Sequence, residues 1–272
     1  MYRKRFALTA HPLPKNAQGP SFFEHGPGYP QLQRAFNRLI DEPGLGILTG
    51  EAGVGKTAAM RNLCAALPRP DYHVLYLCDT AVSPLDLYRT LAQALGVRPS
   101  HRRAQLWSDI KNTLVHLLDE RQCAPVVVLD EAQHLSERFL VDLFGFLNVA
   151  FDSRDVLTLW LIGLPPLRRH LDMHQHAPLA MRVAAQVHLE PFTDRDLFGT
   201  LILQSLEAVG ASDKLLADPA MEMLLRASRG LPRTASKVLR AALRLAHERD
   251  QRFVDEHILE AAIDDVLVPG RS

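Results

Sequence analysis

Residues Gly50–Thr57 read GEAGVGKT, between an apolar run (GLGILT) and a run with helical character (AAMRNLCAAL). The pattern G-x-x-x-x-G-K-[ST] requires a strand to deliver it and a helix to leave it, and this context supplies both. Glycines let such a loop curl until successive backbone N–H groups point inward at an anion. The N-terminus of the following helix adds a favourable dipole. Gly50, Glu51, Ala52, Gly53, Val54, Gly55, Lys56 and Thr57 are therefore expected to cradle phosphates. Lys56 would reach the β- and γ-phosphates, and the Thr57 hydroxyl would ligate Mg²⁺. A fold that presents this loop is α/β.

The second half of such a site is a buried strand that ends in a carboxylate. The run VVVLDEAQHL supplies one, with Val126 to Leu129 followed by Asp130 and Glu131. Mg²⁺ keeps most of its water and takes few protein carboxylates, so Asp130 is expected to hold it through water. Glu131 is expected to orient and deprotonate the attacking water. The two motifs together predict a nucleoside triphosphatase.

Strand and helix signals alternate around these motifs. Strands are predicted at 45–49, 72–78, 125–130, 156–162 and 186–189. Ser83-Pro84-x-Asp86 opens a helix that Gly96 closes. This alternation predicts a parallel sheet covered on both faces. Past Pro191 only helices are expected, starting near Thr193-x-x-Asp196, Asp218-Pro219, Pro232 and Asp255. Prolines 12, 14, 20, 27 and 30 mark an irregular lead-in. The expected organisation is a lead-in over 1–30, a nucleotide-binding domain over 31–191 and a helical domain over 192–272.

Composition narrows the setting. The 31 basic and 31 acidic residues cancel, so contact with nucleic acid or membrane has to come from a local patch. Cys64, Cys78 and Cys123 form no CxxC pair and read as free thiols of a reducing compartment. His11, Pro12 and Pro14 interrupt the basic N-terminus, which makes a poor signal peptide. VLTLWLIGLPPL is too short to span a bilayer. A cytoplasmic protein with no membrane insertion is expected. His170, His174 and His176 are not spaced as a clean metal face. Phe139, Leu140, Leu143, Phe144 and Leu147 sit at helical spacing and read as core.

The chain resembles the AAA+ superfamily, and within it the ExeA-type ATPases and the transposition-helper ATPases of the TniB and Mu B kind. The residues that carry the likeness are the opening MYRKRFALTAHPLP, GEAGVGKT, LDEAQHL, LIGLPPL, LAMRVAAQVHLEPF and GLPRTASKVL. The resemblance implies a three-layer αβα core with a parallel sheet, a small all-α lid, and ATP with Mg²⁺ as the ligands. It also implies a subunit that works in a ring or filament. By the same resemblance, Arg233 of Gly230-Leu231-Pro232-Arg233 is the lid arginine that touches the γ-phosphate. Arg182 is the finger sent into a neighbour's site, with Arg168 and Arg169 as nearby alternatives. Phe6 and Leu8 are implied to lie near the adenine. One departure stands out. The family's polar residue after the fourth strand is replaced at or beside Leu164, where the run Trp160–Pro166 has nothing polar. Turnover is then expected to be slow or to wait on a partner. Gln133 and His134 are the side chains placed to compensate in part.

Two uses of ATP follow from the resemblance. One is assembly on double-stranded DNA as a helper of a transposase or integrase. The other is assembly of a secretion or other membrane-associated complex. Relatives of the second kind continue into a membrane span and a cell-wall-binding region, which a sequence ending at Ser272 does not show, so the first is the expected use. Local basic residues point the same way. Arg98, Arg102 and Arg103 cluster before a helix with His101. Arg233, Lys237, Arg240 and Arg244 fall on one helix stripe. Such clusters suit phosphate backbones without reading bases.

Overall fold

The computed structural model describes residues 2–149, 154–211 and 215–267, which divide into two units. One comprises 31–50 and 63–188, and contains the sheet. Strands β1 (Leu45–Gly50), β2 (Tyr72–Leu77), β3 (Ala124–Leu129), β4 (Thr158–Gly163) and β5 (Val183–Leu189) lie in the order β2-β3-β4-β1-β5. The pairs β2–β3, β3–β4 and β1–β4 are parallel. Central strands are covered on both faces and must be apolar throughout, whereas edge strands can alternate. The burial follows that rule. Every residue of β1 and β4 is buried, while β2 and β5 alternate along their length.

Close packing at the centre dictates one glycine. Gly46 stands in register with Trp160, and a Cβ at 46 would lie 2.7 Å from the indole ring. Trp160 is fully buried and stacks on Phe36 at 6.2 Å between centroids. A crossover between parallel strands needs a long connection, here mostly helical. The helices Pro84–Ala94, Arg103–Asp119 and Glu137–Leu147 supply it on the β2 and β3 side. Ser83 caps the first of these by accepting from the Asp86 N–H, as the sequence predicts. In the third, Phe139, Leu140, Leu143 and Phe146 are the buried residues. Phe144 and Leu147, expected in the core, are only partly covered.

The other unit comprises residues 2–30, 51–62 and 189–267. Its core is formed by the helices Arg195–Glu207, Asp218–Ser228, Pro232–Glu248 and Glu256–Leu267. The first is capped by Asp194, whose side chain accepts from the Leu197 N–H, so the helix starts where Thr193-x-x-Asp196 predicts. That bond satisfies an orphan donor of the first turn. The lead-in is more ordered than its prolines suggest. It contains a short helix, Tyr2–Arg5, and Tyr2, Phe6, Leu8 and Phe23 are buried in the core of the same unit. In the sheet-containing unit, burial pushes the Cys64 thiol up to about 12.

Gly230 is tightly packed in the helical unit. Its φ of +68° favours glycine, and an added Cβ would lie 1.9 Å from the Phe192 carbonyl oxygen. The Phe192 N–H donates to Gly230 O at 3.0 Å, so the two segments cannot separate without losing that bond. Gly230→Ala should therefore destabilise by about 2–4 kcal/mol, the sum of backbone strain and a lost hydrogen bond. Thermal unfolding should register this as a midpoint several degrees lower; an unchanged midpoint would contradict the packing described.

Candidate functional site

The parallel sheet places the carboxyl ends of β1, β3 and β4 on one edge, with β4 between the other two. Ligand sites of open α/β sheets lie along that edge. The loop 51–55 leaves directly from β1, and Asp130 and Glu131 leave directly from β3.

The loop has the geometry its glycines predict. Gly53 and Gly55 adopt φ of +89° and +113°, values that L side chains rarely take. At Gly53 there is a second reason for glycine, since a Cβ there would come within 2.9 Å of the Arg233 Cβ. The Arg233 N–H donates to Gly53 O at 3.2 Å. Arg233 is thus beside the loop by backbone contact, at the start of the helix Pro232–Glu248, with its side chain exposed. Lys56 opens the helix Lys56–Ala66, is buried, and its ammonium donates to Glu51 O at 3.0 Å. A buried lysine at the start of a helix, after a glycine loop with two positive-φ residues, fits a polyphosphate.

Asn62 ties this helix to the lead-in. It accepts from the Gly19 N–H at 2.8 Å and donates to Glu24 Oε1 at 3.0 Å and Tyr29 Oη at 2.9 Å. Nothing in the sequence pattern marks Asn62, because its three partners lie 33 to 43 residues away.

After β3, Asp130 is buried while Glu131 is exposed. Asp130 accepts from the Tyr76 hydroxyl at 2.9 Å and from the Glu131 N–H at 2.9 Å. A buried carboxylate needs such donors, and these two bonds fix the orientation of Asp130 at the end of β3. Glu131 has a left-handed backbone, φ +55° and ψ +35°. That conformation is uncommon for a non-glycine residue and clusters at functional sites. The buried Thr80 hydroxyl holds it by donating to Glu131 O at 2.8 Å. The Glu131 carboxylate accepts from Gln133 Nε2 at 2.7 Å, and the Gln133 carbonyl accepts from the Leu164 N–H at 3.0 Å. Tyr76 and Thr80 were not legible as site residues, since only the fold brings the end of β2 beside Asp130.

The arginines are placed less simply. Arg182 lies just before β5 and is partly buried. Its guanidinium is 5.2 Å from the Phe144 ring centroid and 3.8 Å from Asp155 Oδ1. As a finger for a neighbour it would have to leave these contacts. Arg168 pairs with Asp172 at 2.9 Å.

Of the basic residues expected to meet DNA, two are engaged within the fold. Arg103 pairs with Asp142 at 2.6 Å and covers the Trp107 ring at 4.5 Å. Arg240 donates to the carbonyls of Pro12 and Leu13 at 3.4 and 3.5 Å. Arg98, Arg102, Lys237 and Arg244 are exposed. Among the described residues no group of His, Cys, Asp and Glu could hold a metal by itself, and no helix is long and apolar enough to cross a membrane.

The chain is similar to several known proteins. Residues 39–171 match a family model described as an AAA domain. General secretion pathway protein A of Aeromonas hydrophila is 29% identical over 255 residues, 92% of this chain. The chain spans 45% of that protein's length. Solved structures share the fold at low identity. Cdc6p from Pyrobaculum aerophilum has a TM-score of 0.73 at 18% identity, covering 97% of this chain and 73% of its own. The ADP form of Aeropyrum pernix ORC2 has 0.70 at 17%, covering 99% and 74%. Aeropyrum pernix ORC1 in complex with DNA has 0.67 at 18%, covering 91% and 66%. The fold shared with these structures is a parallel five-stranded sheet with flanking helices and a helical C-terminal region.

Proposed function

We propose that this chain binds and hydrolyses ATP and uses the cycle to assemble with copies of itself. The observation that carries the reading is the sheet edge. A glycine loop with a buried lysine leaves β1, and a buried aspartate followed by a strained glutamate leaves β3. In the cleavage step the oxygen of water bonds to the γ-phosphorus. The bond from that phosphorus to the bridging oxygen breaks, ADP departs with the electron pair, and Glu131 takes the proton of the water. Loop N–H groups and Lys56 bind the phosphate oxygens, and Arg233 meets the developing charge, a role supported by the bond from its N–H to Gly53 O. Bound Mg²⁺ would neutralise charge across the phosphates, with the Thr57 hydroxyl and Asp130 as its oxygen donors.

Two uses of such assembly remain distinct. The likeness to a general secretion pathway protein over 92% of this chain supports the building of a secretion or membrane-associated complex. A DNA-bound helper of a transposase or integrase is the second reading, favoured by exposed Arg98, Arg102, Lys237 and Arg244. It is weakened by the internal engagement of Arg103 and Arg240. Sedimentation with MgATP should convert small species into rings or filaments. Further growth with duplex DNA, lost steeply as salt rises, would select the second reading. The same small species under every condition would reject assembly.

A further inference from the structure

We infer that Gln133 is the positioning residue that sets the Glu131 carboxylate for water activation, in place of the polar side chain absent at Leu164. The inference rests on the hydrolytic reading above. Three observations carry it. First, the amide has a defined sense. Its carbonyl accepts from the Leu164 N–H at 3.0 Å, and only the NH₂ end can then donate to Glu131 Oε2, 2.7 Å away. A flipped amide would set oxygen against carboxylate and NH₂ against N–H.

Secondly, the end of β4 is shaped for this side chain. A Cβ at Gly163 would lie 2.7 Å from Gln133 Oε1, 3.2 Å from Gln133 N and 3.1 Å from Leu167 Cδ2. Gly163 is not among the glycines with positive φ, so glycine serves here to leave room and not to permit a turn. Thirdly, Glu131 is fixed at its backbone as well, by Thr80 on its carbonyl and by Asp130 on its N–H. The carboxylate is left with little freedom once Gln133 holds one of its oxygens. A neutral donor on Oε2 orients the group and leaves Oε1 to receive the proton of the water.

The fourth strand thus reaches the glutamate through a main-chain N–H and a borrowed amide. In a chain with leucine at 164, the amide three residues after the Asp130 carboxylate supplies the polarity.

Two substitutions test this. Gln133→Leu should lower kcat by about 10- to 100-fold, in line with losing the alignment of a general base, while ATP affinity, measured with a fluorescent analogue, changes little. Gly163→Ala leaves the amide in the chain but crowds its carbonyl, and should lower kcat in the same direction. In the nucleotide-free protein, backbone amide exchange at Leu164 should be faster in Gln133→Leu than in the wild type. An unchanged or higher kcat in Gln133→Leu, or unchanged exchange at Leu164, would overturn the role of Gln133. Failure of the hydrolytic reading looks different: wild type and Glu131→Gln would then release phosphate at the same rate, and the exchange at Leu164 would still decide whether the clamp exists.

Discussion

Glu131→Gln is expected to bind ATP about as tightly as the wild type and to cleave it about 10²–10⁴-fold more slowly. That range is what a positioned general base contributes. Glutamine is nearly isosteric and can satisfy the Gln133 contact after an amide rotation, so the strained backbone at 131 and its Thr80 and Asp130 bonds need not change. What is lost is the charge that accepts the proton. Single-turnover phosphate release measures the chemical step directly. A variant that cleaves at the wild-type rate would remove Glu131 from the mechanism.

Lys56→Ala is expected to act earlier, on binding. The ammonium is buried in the loop and already hydrogen-bonded to Glu51 O, so its side chain is held where phosphate oxygens would arrive. Charge-assisted hydrogen bonds of about 1.5–3 kcal/mol correspond to a loss of roughly tenfold to two-hundredfold in affinity. Titration with a fluorescent ATP analogue checks this, and the thermal midpoint should stay near that of the wild type. Undiminished affinity would mean that the loop holds something other than a triphosphate.

Much of this arrangement is legible before any coordinates. The five strands fall within three residues of their predicted ends, because buried parallel strands are short apolar runs and the glycine loop and Asp130 punctuate two of them. The loop conformation is legible too, since glycine readily takes the φ values found at 53 and 55 and other residues rarely do. What escapes the sequence is made by tertiary proximity. Tyr76 reaches Asp130 across 54 residues and Thr80 reaches Glu131 across 51. The left-handed turn at Glu131 breaks local preference and is sustained by those partners.

Two residues of the basic clusters have partners that escape the sequence for the same reason. Spacing places Arg240 on a stripe with Lys237 and Arg244, but the carbonyls that bind it lie 227 and 228 residues earlier in the chain. Arg103 likewise opens a helix as expected, yet meets Asp142 and the ring of Trp107. Leu164 shows the opposite error. The missing polar side chain is real, but the sequence could not reveal that Gln133 is turned onto the Leu164 N–H, although it marks Gln133 as a neighbour of the acids.

The central claim is that one triphosphate is engaged by both the loop after β1 and the acids after β3. Amide hydrogen exchange of the full chain, compared with and without ATP and Mg²⁺, tests it most directly. The account predicts slower exchange in residues 50–58 and in 126–134 at the same ATP concentration, with both effects absent in Lys56→Ala. Protection confined to one of these segments, or to neither, would contradict it.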